Sequence, residues 1–133
     1  MVRAIMHGCN GHMGQVITGL IKADEGIELV AGIDKYTGIA NDYPVFESLE
    51  KCDVEADVII DFSNAAAADA LLTYCEEKKM PVVLCTTGLS EEQLAKIPEA
   101  AKKTAVLKSA NMSLGINLLM KLLKEATKVL APA

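Results

Sequence analysis

The sequence predicts a doubly wound α/β fold, a parallel sheet with helices on both faces, built as a single domain. Three observations predict it. Apolar runs of a few residues alternate with segments of helical spacing, a glycine-rich turn follows the first run at once, and an acidic residue ends the second. Short runs rich in Val, Ile and Leu suit strands buried on both faces, and helices between them supply the crossovers that parallel pairing requires. A length of 133 residues is enough for one such domain with a sizeable core.

In chain order, Val2–Met6 reads as the first strand, and Gly8-Cys9-Asn10-Gly11-His12-Met13-Gly14 leads from it into helical spacing over Gln15 to Lys22. The second strand, Glu28–Ile33, ends at Asp34, and Pro44-Val45 is a short candidate for a sixth strand. Asp57–Ile60, Pro81–Leu84 and Ala105–Leu107 complete the set. Between them a helix runs from Ala65 to Lys78-Lys79, with Ser63 or Asn64 as its cap and two cations against its C-terminal dipole. Ser90-Glu91-Glu92-Gln93 matches a capping box, and Pro98 is expected to end or kink the helix that it starts. In the last segment, Leu114 to Leu130, Ile116, Leu119, Met120, Leu123 and Leu130 keep helical spacing, while Leu118, Leu122 and Val129 widen the apolar surface. Such a helix needs cover on two sides, and part of it is expected from outside this chain.

Composition narrows the function classes. With 51% hydrophobic and 23% charged residues the chain reads as an ordinary globular domain. A formal net charge of −5 with scattered lysines argues against nucleic acid as a partner. Cys9, Cys52, Cys75 and Cys85 are widely separated, which suggests neither a disulfide framework nor a zinc ribbon and points to a reducing cytoplasm. The first apolar run is too short for a secretory core, and nothing approaches the length of a membrane span, so no membrane partner is expected. His7, Cys9 and His12 lie close together, but a glycine turn presents its backbone rather than convergent side chains, so no metal is expected.

A strand, a glycine-rich turn and a helix form a phosphate-binding layout. One glycine allows the tight turn, one lets the backbone approach a pyrophosphate and one lets helix and strand pack closely, with the pyrophosphate on the free N–H groups of the helix N-terminus. The spacing is G-x-x-G-x-x-G rather than the commoner G-x-G-x-x-G. Asp34, 20 residues after Gly14, stands where a ribose hydroxyl needs an acceptor, which makes the layout Rossmann-like. Lys35 beside it suits the extra phosphate of NADP, so the pair fits NADH or NADPH. Three further strand ends carry polar loops on the same edge: Asp61-Phe62-Ser63-Asn64, Cys85-Thr86-Thr87-Gly88 and Ser109-Ala110-Asn111-Met112-Ser113. Their hydroxyls and amides suit a carboxamide or a ribose, and Phe62 suits a flat ring, although each loop alone also reads as a turn and helix cap.

Taken together, the glycine loop with Asp34, Val58-Ile59-Ile60-Asp61-Phe62-Ser63, Thr86-Thr87-Gly88 and Ser109 through Asn117 resemble the N-terminal half of the dihydrodipicolinate reductase family over essentially the whole chain. The resemblance implies an NAD(P)H-dependent reductase of lysine and diaminopimelate biosynthesis that passes hydride to a cyclic imine dicarboxylate. It implies that Gly8 to Met13 hold the pyrophosphate, and Asp34 with Lys35 the adenosine ribose. Cys85, Thr86, Thr87, Ser109, Ala110, Asn111 and Met112 would line the nicotinamide side, with Thr87 nearest the substrate. Three positions depart from the family pattern: His12 stands where arginine is common and is a weaker partner for a 2′-phosphate, Cys85 where glycine is usual, and Met112 where phenylalanine is common.

The resemblance also divides the chain into a dinucleotide domain over residues 1–113 and a final helix over 114–133 that leads to a substrate domain absent here. The family's His-His-x-x-Lys-x-Asp-Ala-Pro-Ser-Gly-Thr stretch matches nothing in this sequence, so no catalytic residue is expected and the chain alone should be inactive. The dicarboxylate would bind only with the missing domain, and a homo-oligomer is expected of the full-length enzyme. Two alternatives stay open: the cofactor domain of another amino-acid-pathway dehydrogenase, and a non-catalytic nucleotide-binding module.

Overall fold

The computed structural model describes residues 1–110 and 112–131; Asn111, Pro132 and Ala133 lie outside the described residues. The apolar runs become six strands: β1 (Val2–His7), β2 (Ile27–Ile33), β3 (Val45–Phe46), β4 (Val58–Asp61), β5 (Val82–Leu84) and β6 (Val106–Lys108). All neighbouring pairs are parallel, in the order β3-β2-β1-β4-β5-β6. This is the strand order of the doubly wound dinucleotide-binding sheet, whose reversal beside β1 leaves a crevice at the carboxyl edge.

Three helices cross between strands, α1 (His12–Lys22), α2 (Ala68–Lys78) and α3 (Glu91–Ala100), and a fourth, α4 (Leu114–Leu130), follows β6. Because side chains alternate along a strand, the sheet feeds two cores. Ile5, Ile59, Val82 and Leu84 pack with Leu71, Leu72 and Cys75 of α2 and Ala100 of α3 on one face. Met6, Cys9 and Tyr43 pack with Ile17 of α1, Leu29 and Ile60 on the other. Every residue of α4 is exposed, so its wide apolar surface is left largely uncovered by the described chain. No helix among the described residues is long and apolar enough to cross a membrane.

Two expectations about helix ends are corrected. Asn64 takes the N-cap position of a 3-10 turn, Ala65–Ala67, that leads directly into α2, but neither it nor Ser63 supplies a side-chain cap bond. Ser63 Oγ is held elsewhere, donating to Asp61 Oδ1 at 2.6 Å. At the other end only Lys78 lies in the last turn, and Lys79 closes α2 in the left-handed region (φ 52°) with its N–H on Cys75 O. Pro98 sits inside α3, which runs two residues further. Proline lacks an N–H and its ring crowds the carbonyl a turn earlier, yet it does not end the helix: the turn beyond still closes, Ala101 N donating to Ile97 O at 2.9 Å. The capping box forms as read, with Gln93 N on Ser90 Oγ at 3.2 Å and Ser90 N on Gln93 Oε1 at 3.0 Å.

Candidate functional site

Since all six strands run the same way, the loops after β1, β2, β4, β5 and β6 emerge on one edge, and the polar strand ends meet there. The glycine loop is shaped by backbone contact. Gly8 has φ +82°, and a Cβ there would lie 2.7 Å from Phe62 O. At Gly14 a Cβ would lie 2.2 Å from Gly8 O, so α1 packs against its own loop only because that position has no side chain. Gly11 is the N-cap of α1 and offers no side-chain cap, and the first turn holds no acidic residue. The helix therefore starts with unpartnered N–H groups and the positive end of its dipole, which suits an anion.

Asp34 is tied to this loop. Its Oδ2 accepts from Asn10 N at 3.0 Å and its Oδ1 from Tyr36 N at 3.0 Å, which fixes the carboxylate and leaves lone pairs for a further donor. Asn10 itself braces the loop, its Nδ2 donating to Tyr36 O and its Oδ1 accepting from Asn41 Nδ2 at 2.8 Å. Gln15 Nε2 joins the brace by donating to Cys9 O at 2.9 Å and Asn41 Oδ1 at 3.1 Å.

Two cavities open on this edge. One, of about 410 Å³, is bounded by Gly8, Gly11, Asp34 and Lys35 on one side and by Phe62, Ser63, Ala66 and Ala67 on the other, with Glu47 to Glu50 at its end. The second, of about 500 Å³, is lined by Met13, Cys85, Thr86, Thr87, Ala110, Met112 and Ser113. Phe62 and Ser63 line both and so join them. The structure thus brings most of the sequence-predicted residues to one continuous crevice. Cys9, Asn10, His12 and Ser109 line neither cavity. Asn111 lies outside the described residues. The Cys9 side chain is fully buried, facing Gly32 and Tyr43, so only its backbone belongs to the loop surface.

The crevice floor holds a buried polar cluster that the sequence did not disclose. His7 Nδ1 lies 2.8 Å from Asp61 Oδ1, and the Ser63 hydroxyl donates to the same oxygen. Burial pushes the Asp61 carboxyl up, but hydrogen bonds from His7, Ser63 and Thr86 outweigh it and leave its pKa below the usual carboxylate value. Asp61 Oδ2 and Thr86 Oγ1 remain buried without a well-formed hydrogen bond. Burial, with the Asp61 charge added, pushes the Cys85 thiol up to about 11, so it lines the crevice as a neutral group. The signal for the His7–Asp61 pair was present as two polar residues at strand ends, but it becomes legible only once β1 and β4 are neighbours.

The chain matches the family model described as "Dihydrodipicolinate reductase, N-terminus" over residues 2–112. It is 48% identical to the 4-hydroxy-tetrahydrodipicolinate reductase of Clostridium novyi, over 98% of this chain and 52% of the relative. It is 51% identical to the protein of that name from Caldanaerobacter subterraneus, over 98% of this chain and 51% of the relative. The chain thus spans about half the length of the curated relatives it matches. Among solved structures it is similar to a dipicolinate-bound dihydrodipicolinate reductase from a Paenisporosarcina species, with a TM-score of 0.82 at 26% identity, covering 96% of this chain and 54% of that one. Its fold is also that of a myo-inositol 2-dehydrogenase from Lactobacillus plantarum, with a TM-score of 0.73 at 13% identity, over 93% of this chain and 41% of that one. A match over nearly the whole sequence places the chain in the dihydrodipicolinate reductase N-terminus family.

Proposed function

We propose that this chain is the dinucleotide-holding part of a reductase that transfers hydride from NADH or NADPH to a cyclic imine dicarboxylate. The observation that carries the reading is that the uncapped N-terminus of α1 and the Asp34 carboxylate border one crevice, an anion site beside a fixed hydrogen-bond acceptor. The donor set fits the group. The pyrophosphate would take the N–H groups that follow Gly11, a ribose diol would take Asp34, and the nicotinamide would enter the cavity of Thr86, Thr87 and Met112 past Phe62. When bound, the reduced dinucleotide supplies the hydride. The chain's own contribution is position: it holds two rings along one edge, so that one face of the nicotinamide is presented to substrate. Thr87, exposed at the mouth of the second cavity, is the residue proposed to lie nearest that substrate.

The remaining half of the relatives' length is proposed to bind the dicarboxylate, supply the proton and build a homo-oligomer. Four free cysteines support a cytoplasmic location. Calorimetric titration with NADH and NADPH tests the reading. Heat of binding is expected for at least one, and a folded chain that releases none at millimolar cofactor overturns it. Asp34→Ala is expected to weaken NADH about tenfold and NADPH less, because the free 2′-hydroxyl of NADH loses its acceptor.

A further inference from the structure

One group on the crevice floor has no part in the dinucleotide reading so far. His7 closes β1 and Asp61 closes β4, and the two are register partners in adjacent parallel strands, so their side chains share a face. Asp61 is fully buried and ionised, hence an acceptor only. The proton in the 2.8 Å contact must therefore sit on His7 Nδ1. That fixes the tautomer of the neutral ring and leaves a lone pair on Nε2. Among the described residues Nε2 has no hydrogen-bond partner, and it is not fully enclosed, so it keeps a solvent-reachable surface. The imidazole is 11% exposed, and it borders the 410 Å³ cavity beside Gly8 and Asp34.

The charged groups around His7 define what it would meet. Asp61 faces it from β4, Glu50 faces it from the turn after β3, and Asp34, Glu47 and Lys35 line the same cavity. The three carboxylates that line the cavity, Asp34, Glu47 and Glu50, against the one cation of Lys35 make an acceptor-rich space that repels a further phosphate and suits a neutral group bearing hydrogen-bond donors. The small apolar wall of Ala66, Ala67 and Ala70 leaves room for a flat ring.

We propose that His7 is a ligand-contacting residue: held by Asp61, it turns Nε2 toward the nucleoside end of the dinucleotide and accepts a hydrogen bond from a sugar hydroxyl or ring amine. The contact rests on the dinucleotide reading and deepens it, since it favours the dinucleotide without the extra phosphate.

The test follows the His7 ring by nuclear magnetic resonance in the isotope-labelled chain at mildly alkaline pH, while NADH, ADP-ribose and nicotinamide mononucleotide are titrated in turn. The Nε2 resonance is expected to move with NADH and ADP-ribose and to hold still with nicotinamide mononucleotide. In parallel, His7→Asn retains a donor for Asp61 but does not reach the cavity. It is expected to bind NADH and ADP-ribose about tenfold more weakly, the loss of one hydrogen bond to a partly buried partner. A resonance unmoved by ADP-ribose, or unchanged affinity in His7→Asn, overturns the contact and leaves the dinucleotide reading standing. A wild-type chain that binds no NADH overturns both.

Discussion

One residue apart in sequence, the two faces of the sheet are finished differently. Ile5, Ile59 and Val82 form a row of register partners across β1, β4 and β5, and they are 0%, 0% and 2% exposed. The next row, Met6, Ile60, Val83 and Leu107, starts at 0% and ends at 58%. Helices α2 and α3 seal the first face across its width. On the second face α1 lies over β1 and β2, while Leu107 at the far end of the row, on β6, is left 58% exposed. Burial of apolar area is what stabilises a fold of this size. The sealed face should therefore carry most of the stability, while the open one keeps apolar surface in water next to the crevice.

The largest effect expected from this difference is a mismatch between two adjacent isoleucines. Ile59→Ala opens a cavity in the sealed core and should cost about 4 kcal/mol, whereas Ile60→Ala, on the half-covered face, should cost about 1.5 kcal/mol. Urea unfolding with equal slopes measures both. Equal losses would mean that the second face is sealed in solution.

Next in size is a contrast within α1. Gly14→Ala forces a Cβ into the carbonyls of Gly8 and Cys9, neither of which can move without reshaping the loop, and should cost about 3 kcal/mol. Gly19 has nothing within 4 Å of a built Cβ, and Gly19→Ala should stabilise by about 0.5 kcal/mol through the unfolded chain. Dinucleotide binding should fall with the first change and persist with the second.

The buried thiols offer a smaller, pH-dependent comparison. Burial pushes Cys75, on the sealed face, up to about 12, and Cys9, on the other face, up to about 11, both from 9.0. Below pH 9 both are protonated folded and unfolded, and they add no slope. Above it the unfolded chain loses protons first, so stability falls as pH rises toward the folded values. Cys75→Ala should flatten this alkaline decline more than Cys9→Ala, read as unfolding midpoints across the alkaline range.

Much of this architecture was legible because its signals are local. Alternating apolar runs, three glycines at fixed spacing and an acid at a strand end predict the sheet, the loop and Asp34 without knowledge of strand order. What escaped depends on neighbours distant in sequence. The His7–Asp61 pair needs β4 beside β1, and the inward turn of the Cys9 thiol needs the packing of Gly32 and Tyr43. Glu47 to Glu50 reach the crevice through a two-residue strand and a single 3-10 turn, too short to leave a period. The α-helical start shifted to Ala68 because Ala65–Ala67 close as a 3-10 turn, and the Ser63 hydroxyl is turned toward Asp61 rather than toward a backbone N–H.

The smallest predicted effect is the one that bears most directly on the open face. Leu107 is the last residue of its row, 58% exposed on β6, and removing an apolar side chain that buries little costs little. Leu107→Lys should leave unfolding stability within about 0.5 kcal/mol of wild type, because the ammonium remains in water and its stem still lies along the sheet. Leu84→Lys, in the same sheet but fully buried, should cost several kcal/mol even beside the Asp61 carboxylate of the adjacent strand, because the ammonium leaves water and the longer chain displaces packed apolar neighbours. Chemical unfolding of the two variants, supported by circular dichroism, sets them apart. A loss of several kcal/mol at Leu107 would show that β6 is covered in solution by a surface that the described residues do not supply, and the difference between the two faces would then belong to this chain in isolation.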